Sequence, residues 1–116
     1  MASSKEYLQF ILEQLSGLEE INYRAMMGEY IIYYRGRIAG GIYDDRLLVK
    51  PTKSAVSYMP TATYELPYER AKEMLLVENV DSREYLAGLF NAMYDELPVH
   101  KANNKKKSLN NLYTFQ

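Results

Sequence analysis

Apolar positions in this chain follow two periods, and the switch between them marks out the elements. Tyr7, Phe10, Ile11, Leu15 and Leu18 recur at helical steps and form one apolar stripe, with Lys5, Gln9 and Glu13 on the opposite face. Ser3 and Glu6 stand in capping-box spacing ahead of this helix. Gly17 is placed to close it near Ser16 in a left-handed conformation. From Ile21 onward the period changes. Tyr30, Ile32 and Tyr34 alternate with Ile31, Tyr33 and Arg35, and this density of aromatic and β-branched residues predicts a strand. Both of its faces are partly apolar, so it belongs in the middle of a sheet. Arg35-Gly36 predicts a tight hairpin turn. Residues 37–43 form the next strand, in which Gly40-Gly41 predicts a bulge or a close backbone contact. Asp44-Asp45 makes a second turn, and residues 46–50 return as a third strand. Pro51 stops it, having no amide for a ladder.

Beyond Pro51 the signals are shorter. Thr52 is placed to cap a short helix through Tyr58 that Pro60 ends. Residues 61–66 alternate like an edge strand. Residues 74–77 (Met-Leu-Leu-Val) form an apolar run too brief for periodicity to assign. Asp81 and Glu84 already form a capping-box pair close behind it, which favours strand for the run. Leu86, Leu89, Phe90, Met93, Tyr94 and Leu97 then make one wide helical stripe ending at Pro98. The expected fold is α+β and two-layered: an N-terminal helix, an antiparallel meander of four to five strands, and a C-terminal helix packed on the sheet. The domain spans residues 1–98, and residues 99–116 form a basic tail rich in Asn and Lys.

Composition narrows the function classes. A chain of 116 residues fits one domain with one core. It has no cysteine, which excludes disulfides, thiolate metal sites and a thiol nucleophile. It has no apolar run approaching the ~20 residues that span a bilayer. Glu6 stands where a secretory signal needs an apolar core, so a cytoplasmic protein is expected. The net charge is −1, but its distribution is uneven: residues 1–20 carry −3, residues 21–60 carry +3, residues 61–98 carry −5 and residues 99–116 carry +4. Positive charge therefore collects on the strand region and the tail.

The strand region carries a family resemblance. Residues 26–50 resemble the N-terminal domain of the TfoX/Sxy family of competence regulators. That family's pattern runs roughly Met-Phe-Gly-Gly-Tyr-Gly-Leu-Tyr, two further residues, Gly-Arg, then a hairpin ending in Leu-x-x-Lys or Leu-x-Leu-Lys. Met26, Gly28, Tyr30, Ile32, Tyr33, Gly36 and Arg37 fit it, as do Arg46, Leu47 and Lys50. Met27 stands for the Phe, Glu29 for the second Gly and Ile31 for the third. The resemblance covers residues 3 to about 98. It implies a helix, an antiparallel sheet and further helices, and a regulatory association with transcription. The larger regulators add a C-terminal helical domain, whereas this sequence ends after the basic tail.

Two sets of residues are candidates for binding. Arg24, Arg35, Arg37, Arg46, Lys50 and Lys53 form a possible basic patch near the turns, interleaved with stacking faces from Tyr30, Tyr33, Tyr34 and Tyr43. Strand alternation splits these residues between two faces, and arginines also keep strand edges soluble. Lys101, Lys105, Lys106 and Lys107 form a second basic cluster, either a solvated tail or an arm that contacts phosphates. Nucleic-acid binding by these groups would be mainly electrostatic, on the order of 10⁻⁴–10⁻⁶ M for non-specific DNA. The acid pairs Asp44-Asp45 and Glu78/Asp81 lack a histidine or third carboxylate at ligand spacing, and His100 lacks an orienting partner. Gly40-Gly41 has no phosphate-loop spacing. No enzyme activity, metal or cofactor is therefore expected. Met26, Met27, Met59, Met74 and Met93 are core or interface filler, and an exposed cluster of Met and Tyr would mark a partner surface. The resulting expectation is a non-enzymatic regulatory or adaptor domain acting through a protein partner or self-association. Direct nucleic-acid binding is the alternative, and a small-molecule pocket is a weaker one.

Overall fold

The structure, a computed structural model, describes residues 2–99. The lysines of the tail and His100 lie outside the described residues.

Three two-residue turns organise the sheet. At each, both central residues have positive φ: Met27 (54°) and Gly28 (85°), Arg35 (52°) and Gly36 (83°), Asp44 (55°) and Asp45 (55°). This mirror-image turn matches the right-handed twist of paired strands. It joins β1 (Ile21–Met26), β2 (Glu29–Tyr34), β3 (Arg37–Ile42) and β4 (Leu47–Val49) into a meander. The chain then crosses through α2 (Lys53–Tyr58) to β5 (Tyr64–Glu65) and β6 (Met74–Leu76). Strand β6 inserts between β4 and β5, giving the order β1-β2-β3-β4-β6-β5 with every pair antiparallel. The sheet thus has six strands. The added one is β1, whose residues lack apolar alternation because nearly all are exposed at the sheet edge. The 61–66 strand shortens to Tyr64–Glu65.

The glycine pair does what its position predicts. The β2–β3 register shifts between Ile32 and Tyr33, so Ala39 is bulged out of the ladder. A Cβ on Gly40 would lie 2.1 Å from the Leu48 carbonyl oxygen, and one on Gly41 would lie 2.7 Å from the Tyr30 carbonyl oxygen. Only glycine lets the neighbouring strands approach this closely.

Helices α1 (Lys5–Gln14) and α3 (Arg83–Met93), with α2, pack on one face of the sheet. The core joins Leu8, Ile11 and Leu15 to Leu86, Leu89, Phe90 and Met93 over Tyr30, Ile32, Tyr34, Ile42, Leu47, Val49 and Leu75. The α+β two-layer architecture is as expected. Three details of the helix ends differ. The N-caps are Ser4 and Ser82, whose hydroxyls accept from the amides of Tyr7 and Tyr85. Ser3 is diverted because its hydroxyl donates to Glu29 and accepts from the Asp45 amide. Helix α1 ends at Gln14 with Leu15 as C-cap, and Gly17 is not in the left-handed region. Thr52 caps α2 as expected. After α3 a single 3-10 turn, Tyr94–Glu96, brings Leu97 into the core.

Candidate partner-docking surface

The strand register decides which side chains leave the core face. Tyr30, Ile32 and Tyr34 point to the helices, so the alternate residues Glu29, Ile31 and Tyr33 point away. Cross-strand pairing places Met26 beside Glu29, Arg24 and Gly41 beside Ile31, and Ile38 beside Tyr33. Leu48 lies beside Gly41 and Leu76 beside Leu48. No described helix packs on this second face. What covers part of it is the connection between β5 and β6. Pro67, Tyr68 and Ala71 there, with Met26, Ile31, Ile38, Tyr43 and Met74 from the strands, line a groove of about 410 Å³. That is within the size range of binding clefts.

On the same face a small apolar layer lies apart from the main core. Leu48 is fully buried and Tyr43 is 7 % exposed, yet neither belongs to the cluster beneath the helices. The Tyr43 ring lies over Gly41, whose missing side chain makes room for it, and meets the Tyr68 ring at 6.1 Å. Burial pushes the Tyr43 phenol up from its ordinary pKa, with Tyr68 and Glu29 adding to the shift. It therefore stays protonated and can donate a hydrogen bond at neutral pH. Around the groove, Met26 and Tyr68 are exposed, and Met27 at the adjacent turn is 96 % exposed. The methionine-and-tyrosine cluster expected of a partner surface is present here. Met59 and Met93 are core residues instead.

The basic candidates are dispersed. Arg35 and Arg37 sit at the β2–β3 turn beneath the end of α3, with their guanidinium carbons 4.9 and 4.4 Å from the Tyr94 ring centre. Arg37 also donates to the carbonyl oxygens of Tyr94 (3.0 Å) and Leu97 (3.5 Å). Arg37 thus serves the helix end, where carbonyls lack intrahelical donors, while the Arg35 guanidinium contacts the Tyr34 and Tyr94 rings. Arg46 pairs with Glu65 and donates to the Tyr43 and Leu66 carbonyl oxygens, fastening the edge of the covering connection to the sheet. Lys53 is exposed at the start of α2 beside Glu96. Arg24 and Lys50 lie on the open face without a salt bridge or side-chain hydrogen bond to another described residue. Lys105, Lys106 and Lys107 lie outside the described residues. Of the motif residues, Tyr30 is core, Tyr33 and Met26 are on the open face, and Gly28 and Gly36 supply turn positions at positive φ.

Sequence reasoning missed two features. Tyr68 and Lys72 of the groove sit in a connection without periodicity, and only pairing of β6 against β4 brings it over the sheet. Glu29, where the TfoX pattern has glycine, is structural: its carboxylate accepts from the Ser3 hydroxyl (2.6 Å) and the Asp44 amide (3.2 Å). Asp45 accepts from the Ser4 amide at 2.9 Å. These bonds clasp the start of α1 to the β3–β4 turn. Among the described residues, no three His, Cys, Asp or Glu side chains are grouped to hold a metal ion. Nor is any described helix long and apolar enough to cross a membrane.

Comparison with known proteins bears on the same segment. The chain is 28 % identical over 80 residues to an uncharacterized 12.7 kDa protein in the trpE 5' region of Spirochaeta aurantia, an alignment that covers 69 % of this chain and 70 % of that protein. No solved structure matches the chain. The family model for the TfoX N-terminal domain matches residues 13–89, which run from within α1 through the whole sheet and most of α3. The groove, the three turns and the glycine pair all fall inside that span, and the chain belongs to the TfoX N-terminal domain family.

Proposed function

We propose that this chain is a non-enzymatic regulatory domain that works by docking a protein partner on the open face of its sheet. Its family is a non-catalytic, competence-type regulatory one, which supports the class of role. The observation that carries the surface is the apolar groove with Met26, Met27 and Tyr68 exposed around it, on the face that no described helix covers. Exposed apolar patches with polar rims mark interaction sites, and methionine and tyrosine adapt well to partner surfaces. Dispersal of Arg35, Arg37 and Arg46 into intramolecular contacts favours this reading over a nucleic-acid groove.

A photo-crosslinking amino acid at Met26 or Tyr68, compared with one at Ala92 on the exposed side of α3, tests the reading in the cells that make the protein. The expected result is a discrete protein adduct from positions 26 and 68 and none from 92. Equal adducts from all three positions, or none from any, would refute it. Capture of duplex DNA at low salt that is unaffected by Met26→Glu would favour the nucleic-acid alternative.

A further inference from the structure

The groove is apolar in its walls but not in its donors. Lys50 and Lys72 line it, together with one acid, Glu73. Lys50 is only partly exposed, at the end of β4, and neither lysine has a salt bridge or side-chain hydrogen bond to another described residue. Both lysines therefore offer unpaired cations at the rim of an apolar groove, where a carboxylate can meet them. Tyr43 repeats the pattern. It lines the groove with its ring largely covered, and its hydroxyl bonds to no other described residue. Arg24, unpaired on the same face beside Ile31, extends the positive rim across β1.

We infer that the groove takes a protein segment with an apolar anchor flanked by carboxylates, the anchor entering between Ile31, Ile38 and Met74, and the carboxylates meeting Lys50, Lys72 and the Tyr43 hydroxyl. The inference rests on the docking surface proposed above and adds the chemistry of the occupant. Charge complementarity selects this class over a basic segment, which would place its cations against two unpaired lysines. Electrostatic matching of this kind controls specificity and register more than raw affinity.

The test is selection from a phage library of random nine-residue peptides on the full-length chain, with the Met26→Glu variant as the blocked competitor. Enriched peptides should hold a Leu, Ile, Phe or Met with Asp or Glu within three residues, and should be lost on the competitor. Lys50→Gln and Lys72→Gln should each weaken a selected peptide about fivefold, the effect of losing an ion pair at a partly exposed rim. Lys50→Glu/Lys72→Glu should turn the selection toward Lys and Arg flanks. Peptides enriched on the wild-type chain with neutral or basic flanks would overturn the acidic preference while leaving the docking surface standing. No enrichment over the Met26→Glu chain would overturn both. A dimer in sedimentation that Met26→Glu dissociates would show a second copy in the groove and also defeat the inference.

Discussion

Replacing Gly40 with alanine tests the packing of the sheet most directly. The added Cβ would stand 2.1 Å from the Leu48 carbonyl oxygen and 2.8 Å from the Val49 Cα, whereas ordinary contact begins at 3.4 Å. Both obstacles are backbone atoms of β4, so no side-chain rotation relieves them. Strands β3 and β4 must part by more than about 1 Å, beyond hydrogen-bond range for the rungs on either side of the Gly40–Val49 pair. Losing two such bonds costs ~1–3 kcal/mol. Loosening Leu47, Leu48 and Val49, all fully buried, adds about 1–3 kcal/mol. The unfolded alanine chain has less conformational entropy to lose than the glycine chain, which returns ~0.4–1 kcal/mol. The net loss is about 3 kcal/mol, a large part of the ~5–15 kcal/mol that stabilises a domain. The melting temperature should fall by roughly 12 °C. Gly17→Ala is the matched control, because a Cβ there meets nothing within 4 Å and Gly17 is not in the left-handed region. It should be neutral or stabilise by about 0.5 kcal/mol. Urea titration followed by far-ultraviolet circular dichroism measures both. A Gly40→Ala protein within about 0.5 kcal/mol of wild type would show that the reasoning about the β3–β4 contact is wrong.

Arg37→Ala removes two hydrogen bonds to carbonyls and a cation over the Tyr94 ring, and should cost ~1–3 kcal/mol in urea denaturation. DNA retention should be unchanged in the same variant if Arg37 is structural. Glu29→Ala unfastens the α1–turn clasp and should cost roughly 1–2 kcal/mol, whereas Glu19→Ala, on an exposed loop, should be within about 0.5 kcal/mol of wild type. The Glu96 carboxylate is held below its ordinary pKa, first by the Ser54 amide and then by the Ser54 hydroxyl. A lowered folded-state value favours the folded state above the unfolded pKa, and that contribution is lost as pH falls through the folded one. Ser54→Ala should therefore move the Glu96 midpoint upward in an NMR titration, and an unmoved midpoint would show that the contact is not formed in solution.

Much of this fold is written in consecutive residues. The α3 stripe, the alternation of β2, the turns at Arg35-Gly36 and Asp44-Asp45 and the Thr52 cap all follow from periodicity and turn chemistry, which act over a few positions, and the nearness of the next helix start favoured strand for residues 74–76. Gly40-Gly41 announced a close approach without saying what approaches. That required β4, and its answer is the Leu48 carbonyl. Each of the two N-caps lies one residue beyond the expected one because adjacent polar side chains compete for the position, and a bond from Ser3 to Glu29, 26 residues away, settles the first competition. Strand β1 has no alternation of its own, and its conformation depends on pairing with β2. The open face was least legible of all. Residues from β1, β2, β3 and β6 meet there with the β5–β6 connection, and only the insertion of β6 beside β4 brings them together. The same folding parts the arginines that look adjacent in sequence, sending Arg37 to Tyr94 and Arg46 to Glu65. Local residue patterns thus specify most of the elements and the family pattern, but not β1. Tertiary pairing decided which cations are already occupied and which, like Lys50, still face an open groove, because that depends on contacts between distant residues.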